Sequence, residues 1–241
     1  MQSGLYVALS SQISLEKRMN TIADNLANMN TVGFRATQMK FDDVMTKVEG
    51  AKVDYVSTGQ EYLSSDTGAM VQTKNPLDFA IRGDAWFSVQ SPQGDALTKD
   101  GRFSMLQTGD VVTLEGYPVL DASGSPIQLN AAAGPPTASK DGILYQNGKP
   151  VAQLGLFQAD IGPNFTRVGN TAVIPTQNPE PVINNSDVGV MQGFIEEANV
   201  NPILQMTQMI TVSRTFEYVT QLMRDGESSI SDAIKTVGGA K

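Results

Sequence analysis

Carboxylates are the main groups with acid–base capacity in this chain of 241 residues, which contains no histidine and no cysteine. They include two adjacent pairs, Asp42-Asp43 and Glu196-Glu197. Glycoside hydrolysis needs two carboxyl groups that face each other across a bond, roughly 5 to 9.5 Å apart, and sequence neighbours do not converge in this way. We interpret both pairs as solvated surface charges. The lack of histidine and cysteine also excludes Ser-His-Asp catalysis, Cys-His catalysis and thiolate metal sites.

The stretch from Gly142 to Lys149 has some features of a phosphate-binding loop. Five residues separate Gly142 from Gly148, and Pro150 follows the lysine. A Walker loop has a shorter gap between its glycines and requires serine or threonine after the lysine, so we reject this assignment. The sequence therefore predicts a protein that is not an enzyme and has no cofactor.

The charge balance limits the partners. Seventeen Lys and Arg residues against 25 Asp and Glu residues give a net charge of −8, which does not favour nucleic acid or anionic lipid. No run of apolar residues is long enough to span a bilayer, so no direct membrane insertion is expected. The first basic residue is Lys17, and we expect no cleaved signal peptide, so export would need a signal-independent route.

Residues 1–29 have the pattern of one long helix. They contain no proline and one glycine, Gly4. Apolar or small residues recur at heptad a and d positions, interrupted by Gln12. The register is Met1, Leu5, Ala8, Leu15, Met19, Ile22, Leu26 and Met29. Such a helix would be about 42 Å long, and Gly33 is expected to end it in a left-handed conformation.

The other end of the chain has a matching pattern. Asn201-Pro202 is typical of an N-cap followed by proline at the first helical position. The register that follows is Met209, Val212, Phe216, Val219, Met223, Gly226, Ile230, Ala233 and Val237. This second helix would extend about 54 Å.

The middle of the chain has short apolar runs separated by turns, which is typical of antiparallel strands. Four such runs are 78–81, 86–89, 111–114 and 151–154, and Asn147-Gly148 predicts a two-residue hairpin. Residues 131–136 are predicted to form a loop.

We therefore predict an α+β fold: a discontinuous coiled-coil helical hairpin from the N- and C-termini plus a central antiparallel all-β domain. The expected divisions are 1–36 with 198–241 as the helical assembly domain, 37–72 with 182–197 as extended connections, and 73–181 as the β-domain.

Two long apolar stripes can bury each other within one chain, and an intramolecular coiled coil is one reading. Apolar residues outside the stripes, such as Leu9, Ile13, Ile210 and Leu222, favour contacts with additional partners. The termini would then be disordered in the free monomer and fold on assembly. Two further alternatives are a soluble coiled-coil binding module and a carboxylate enzyme acting on cell-wall glycan.

Both ends of the chain resemble those of flagellar rod and hook axial proteins. The N-terminal signature is matched by Asn25-Leu26-Ala27-Asn28, Thr31 and Gly33-Phe34-Arg35. The C-terminal signature is matched by Asn199-Val200-Asn201, Met206, Met209-Ile210, Arg214 and Phe216-Glu217. The start of the family's middle domain is similar to Pro76-Leu77-Asp78-Phe79-Ala80-Ile81, Gly83 and Trp86-Phe87.

The resemblance implies a structural subunit of the basal-body rod within the periplasm, polymerised through its terminal helices into an axial tube that transmits torque and conducts exported subunits. It implies other copies and other rod proteins as partners, and the flagellar type III export apparatus during transit. A proximal rod member is the most similar, and a distal rod or hook subunit is the alternative.

Together with the two registers, the resemblance selects the residues expected at subunit contacts. They are Leu5, Leu15, Met19, Ile22, Asn25, Leu26, Asn28, Thr31, Gly33, Phe34, Asn199, Asn201, Met206, Met209, Ile210, Arg214, Phe216, Val219, Met223 and Ile230. Asn25 and Asn28 are expected to bond to backbone of a neighbouring subunit, and Phe34 to anchor the chain where it turns back. Arg35 is expected to form a surface or inter-subunit ion pair.

Overall fold

The chain folds into two compact units, each built from segments that are distant in sequence. The computed structural model describes residues 2–41, 43–48, 51–56, 59–163, 165–182 and 187–239. The first unit comprises Met1–Ala27, Thr37–Glu61 and Asn201–Lys241, and the second comprises Asn28–Ala36 and Tyr62–Val200.

Two long helices that pack together dominate the first unit. Helix α1 spans Gln2–Ala27 and helix α2 spans Pro202–Gly238. Asn201 is the N-cap of α2, and its side chain accepts a hydrogen bond from the amide of Leu204. The prediction of two terminal helices and of the α2 cap is therefore confirmed. Three short strands complete the described part of this unit: β1 (Thr37–Lys40), β2 (Asp43–Val48) and β3 (Ala51–Val56). Strand β4 (Gln60–Leu63) begins in the first unit and ends in the second.

The second unit is rich in antiparallel β-structure, as predicted. Its strands are β5 (Met70–Gln72), β6 (Phe79–Arg82), β7 (Trp86–Ser91), β8 (Gly94–Thr98), β9 (Ser104–Met105), β10 (Val111–Val112), β11 (Thr137–Ala138), β12 (Ile143–Gln146), β13 (Lys149–Gln153), β14 (Leu156–Gln158), β15 (Thr166–Val168), β16 (Ala172–Ile174), β17 (Glu180–Pro181), β18 (Gly189–Gln192) and β19 (Phe194–Glu196). The largest sheet has six strands in the order β15-β16-β8-β7-β14-β17.

The two faces of this six-stranded sheet have different roles. Side chains alternate across a strand, so Phe87 and Val89 of β7 face the main apolar core, where both are fully buried. Trp86 lies on the opposite face with Leu97 and Val173, which form a second, smaller cluster. The register pairs Ser88 with Leu97 and therefore puts Ser88 on this second face as well.

The predicted Asn147-Gly148 hairpin joins β12 to β13. Both turn residues have positive φ, 51° at Asn147 and 73° at Gly148, as a two-residue hairpin requires. The predicted loop at 131–136 is more regular than expected because Ala131–Ala133 form a 3-10 turn capped by Asn130. The buried amide of Gln146 donates to the carbonyls of Asn130 and Gly134 and so holds this turn.

Candidate assembly junction

Asn199 joins three segments of the second unit next to the points where the chain passes between the two units. Its Oδ1 accepts from the amide of Ala36 at 2.7 Å, and its Nδ2 donates to the carbonyl of Asp66 at 2.7 Å. The amide of Ser64 donates to the carbonyl of Ala36 at 2.8 Å. The side chain of one asparagine thus links three segments: the one that follows α1, the one that follows β4 and the one that precedes α2.

Residues 33–36, which we call the docked segment, begin at Gly33. Its amide donates to the carbonyl of Glu196 at 2.7 Å, and its φ is 72°. A Cβ at this position would lie 2.2 Å from the amide nitrogen of Asp100. The positive φ was predicted, but the prediction that Gly33 ends the helix is wrong, since α1 ends at Ala27. Glycine is needed here because the docked segment lies directly against the backbone of Asp100.

Arg35 and Glu196 form a buried ion pair within the chain. Nη2 of Arg35 lies 2.8 Å from Oε1 of Glu196, and their side chains are 5% and 2% exposed. The same Oε1 accepts from the amide of Gly68 at 2.9 Å. The expectation of a surface or inter-subunit pair for Arg35 is therefore wrong. The interpretation of Glu196 as a solvated charge is also wrong, because the side chain has a buried cation as its partner; Glu197 is exposed, as expected.

The cation cluster around Trp86 includes a second buried charge, Lys99. The Lys99 Nζ lies 5.0 Å from the centroid of the Trp86 ring, and the Arg35 guanidinium carbon lies 5.8 Å from it. Lys99 is 2% exposed. Burial, reinforced by the positive charge of Arg35, lowers the pKa of Lys99 to about 8, against the attraction of Glu196 and Asp84. Burial likewise lowers the pKa of Arg35.

Phe34 anchors the docked segment from the other side. It is buried, and the guanidinium carbon of Arg167 lies 4.6 Å from its ring centroid. Nη2 of Arg167 donates to the carbonyl of Arg35 at 2.9 Å. Cation–π contact and hydrogen bond together fix the docked segment on the β-structure, so Phe34 has the anchoring role within its own chain that was expected of it.

Asn25 lies in the first unit, near the end of α1. Its Nδ2 donates to the carbonyl of Thr37 at 2.8 Å, and its Oδ1 accepts from the amide of Thr37 at 2.9 Å. The expected bond to backbone is present, but it is made to the same chain, because β1 returns beside α1. Asn28 lies in the second unit and accepts from the hydroxyl of Thr31 at 3.1 Å.

The two faces of α2 differ in exposure. Val212 is buried, whereas Met209, Phe216, Val219 and Met223 of the predicted register are partly buried. Outside this packed stripe, α2 exposes large apolar side chains: Ile203, Leu204, Met206, Ile210, Tyr218 and Leu222. Arg214 is exposed as well.

The predicted apolar stripe of α1 is partly buried. Ile22 is buried, and Leu15, Met19 and Leu26 are partly buried. Leu9 and Ile13 are exposed. Leu5 and Ile230 lie within the helices, but their side chains are outside the described residues, and so is all of Met1.

Sequence reasoning missed most of the polar residues that hold the docked segment. Lys99, Arg167 and Glu196 lie far from Arg35 in sequence, so no local spacing links them. Trp86 was noted only within the predicted strand run 86–89 and in the family resemblance. The signal that could have found the cluster is the position of Lys99 directly after residues 96–98, the buried end of β8.

The arrangement of these groups serves to hold backbone segments together. Within the described residues, no group of three or more acidic, histidine or cysteine side chains could bind a metal ion. No described helix is long and apolar enough to cross a membrane. The buried charges are engaged with one another and with an aromatic ring.

Three family models match successive parts of the chain. The model of the flagella basal body rod protein matches residues 5–35, which include the docked segment up to Arg35. The flagellar hook protein FlgE/F/G D1 domain matches residues 80–146, and the flagellar basal body rod FlgEFG protein C-terminal model matches residues 191–236.

Relatives match over nearly the whole length. The flagellar basal-body rod protein FlgF of Rhizobium meliloti (strain 1021) is 57% identical over 241 residues, covering 100% of both chains. FlgF of Mesorhizobium japonicum is 53% identical over 238 residues, covering 99% of each. A protein named FlgG, from Bacillus subtilis (strain 168), is 25% identical over 260 residues, covering 97% of this chain and 98% of the relative. The chain belongs to the family of flagellar basal-body rod proteins, which are structural rather than enzymatic, and within that family it is most like the members named FlgF.

Proposed function

We propose that this chain is a rod subunit that polymerises through its two terminal helices, as a coiled coil with further helices of neighbouring subunits, into the axial tube of the flagellum. The tube transmits torque and conducts exported subunits. The observation that carries the proposal is the second, exposed apolar face of α2.

That face contains side chains that one partner helix cannot cover. Ile203 is 78% exposed, Ile210 54% and Leu222 68%, although α1 already packs on α2. A helix that is apolar on two sides requires a second packing partner, and contiguous exposed apolar surface marks interaction sites. Other copies of the same helices are the natural partners in a homopolymer.

The contacts inside the first unit support an antiparallel coiled-coil pairing of α1 with α2. Nε2 of Gln12 lies 3.5 Å from Oγ1 of Thr220. Ile22 follows Gln12 in α1, and Val212 precedes Thr220 in α2. Both are buried, as expected for two paired helices that run in opposite directions. The polar residue that interrupts the α1 register thus meets a small polar residue, and on α2 the register residues Met209, Val212, Phe216, Val219 and Met223 are less exposed than Ile203, Ile210 and Leu222.

The assembly junction supports a mechanical role. Torque carried along the chain between the helices and the β-structure passes through the connections at 27/28, 36/37, 61/62 and 200/201, and the last three are linked to one another. Asn199, Ser64 and Ala36 hydrogen-bond these connections to one another, and the Arg35–Glu196 pair lies beside them. Cross-linked connections resist bending better than separate loops do, because each must break several bonds in order to move.

We also propose how the subunit is exported and where it is incorporated. The subunit passes through the flagellar type III export apparatus without a cleaved signal peptide and is incorporated into the rod within the periplasm, with other rod proteins as neighbours.

The test replaces Ile210 with aspartate in a strain that lacks the native protein. Ile210 faces away from the packed face of α2, so Ile210→Asp leaves the folded subunit intact and blocks its incorporation into basal bodies. Thr215→Asp is the matched control, since it adds the same charge at an exposed polar position. Leu26→Asp, at the partly buried end of α1, is expected to block incorporation while the β-structure stays folded. Electron microscopy of isolated basal bodies measures the result, and normal rods from Ile210→Asp would refute helix-driven assembly.

A further inference from the structure

A groove crosses the second face of the six-stranded sheet. Its volume is about 340 Å³, at the lower end of the range of roughly 300 to 1,000 Å³ for ligand pockets. Phe157, which is half-buried, provides apolar surface in the groove, Leu97 beneath it is 2% exposed, and two loops, which include residues 122–124 and 175–179, border it. We call it the sheet groove.

The borders of the sheet groove are stiff. Oδ1 of Asp121 accepts from the amides of Ser123 at 2.8 Å and Ser125 at 2.9 Å, which closes the first loop on itself. Pro175 and Pro179 restrict the second loop. The groove is thus formed before any partner arrives, which lowers the entropic cost of binding.

The charge of the sheet groove favours a cationic partner. Asp95 is its one charged lining residue. Asp95 is exposed, and its carboxylate makes no ion pair or side-chain hydrogen bond with any residue that the structure describes. A ligand that fits would combine one positive charge with a small apolar surface.

The β12–β13 hairpin presents such a surface. At its tip, Lys149 and Pro150 are exposed, and Val151 is 46% exposed. β13 is the edge strand of its three-stranded sheet, and the two-residue turn at Asn147-Gly148 makes the tip rigid.

The other exposed apolar side chains of this unit lack that charge. Among the described ones, Tyr62 follows Glu61 and Leu114 precedes Glu115, so both would bring a carboxylate towards Asp95. Only Val151 has a lysine or arginine within two residues in sequence, among these described side chains.

We propose that the hairpin tip of one copy binds in the sheet groove of the next copy, with Lys149 paired to Asp95 and with Pro150 and Val151 against Phe157. Because the two surfaces differ, the contact is head-to-tail and can repeat along a filament. The inference rests on the proposed function, since it adds a contact between β-structures to the assembly of helices.

Disulfide trapping in assembled rods tests the contact, because the native chain has no cysteine. Cells produce Asp95→Cys and Lys149→Cys subunits together, and isolated basal bodies are oxidised and separated on a non-reducing gel. A cross-linked dimer is expected from the mixture and not from either variant alone. The control pairs Asp95→Cys with Asp141→Cys, at an exposed site before the same hairpin, and gives no dimer.

Charge-reversal variants provide a second test of the Lys149–Asp95 contact. Asp95→Lys or Lys149→Glu alone reduces rod incorporation at least tenfold, and the two changes in one chain restore it. Assembled rods that give no dimer, or Asp95→Cys joined to a different protein, would overturn the hairpin contact and leave helix-driven assembly intact. If Ile210→Asp abolishes assembly and the cysteine pair gives dimers in its own rods, helix-driven assembly and the hairpin contact are both supported. Normal rods from Ile210→Asp count against the proposed function alone.

Discussion

Arg35 and Glu196 are far apart in the sequence and form one buried ion pair, with Nη2 and Oε1 2.8 Å apart. The pair lies where the chain leaves α1 and just before it enters α2. Removing one member leaves a buried charge without its partner, which costs roughly 3 to 5 kcal/mol. The ion pair is therefore expected to control the stability of the whole junction.

Glu196→Gln should lower the free energy of unfolding of the second unit by about 3 kcal/mol or more. Glu197→Gln changes the adjacent exposed carboxylate and should stay within about 0.5 kcal/mol of the native protein. Urea unfolding followed by fluorescence of Trp86, the single tryptophan of the chain, measures both. Equal midpoints for the two variants would contradict the role of the buried pair.

The stability of the protein should rise between pH 8 and pH 10.5, owing to Lys99. Its pKa is about 8 in the folded chain against an ordinary value of 10.5, so the unfolded chain binds more protons in this window and stability increases with pH. The corresponding cost of the charged form at pH 7 is at most about 3 kcal/mol.

Lys99→Met removes that cost, so it should stabilise the folded protein at pH 7 and flatten the rise above pH 8. Lys149→Met, at an exposed site, should leave the pH profile unchanged. Urea midpoints measured from pH 7 to pH 10.5 decide this. A Lys99→Met profile that still rises like the native one would show that another group is responsible.

Gly33→Ala should be far more damaging than Gly148→Ala. Both glycines have φ near 72°, but nothing lies within 4 Å of a Cβ at Gly148, whereas a Cβ at Gly33 would meet the backbone of Asp100 at 2.2 Å. Gly148→Ala should therefore cost about 1 to 2 kcal/mol for the left-handed conformation alone. Gly33→Ala should exceed this by at least about 2 kcal/mol, and equal losses in thermal unfolding would argue against close docking of residues 33–36.

Asn199→Ala should loosen the junction without unfolding the main core. The two side-chain bonds, to Ala36 and Asp66, are lost, at about 1 kcal/mol each. Hydrogen exchange is the suitable measurement, since the amides of Ala36 and Ser64 should lose protection while that of Val89 keeps it. Asn199→Asp retains only the acceptor for Ala36 and should give an intermediate result; unchanged protection at Ala36 would contradict the account.

The parts of the fold that depend on local pattern were predictable from the sequence. The α2 cap at Asn201, the two helices and the hairpin at Asn147-Gly148 each follow from neighbouring residues. The junction could not be predicted in the same way. A charged residue such as Arg35 is ordinarily placed on the surface, and only its distant partners Glu196 and Trp86 make its burial favourable. Gly33 was predictable in part. Its positive φ follows from the local sequence, whereas its contact with the backbone of Asp100, which requires glycine there, does not.

The most direct test of helix-driven assembly is a structure of the intact rod by electron cryomicroscopy, at a resolution that shows side chains. We predict that Ile203, Ile210 and Leu222 of this subunit, exposed in the single chain, are covered by helices of adjacent subunits. Finding these three side chains still facing solvent, with α1 and α2 in contact only with each other, would contradict the account.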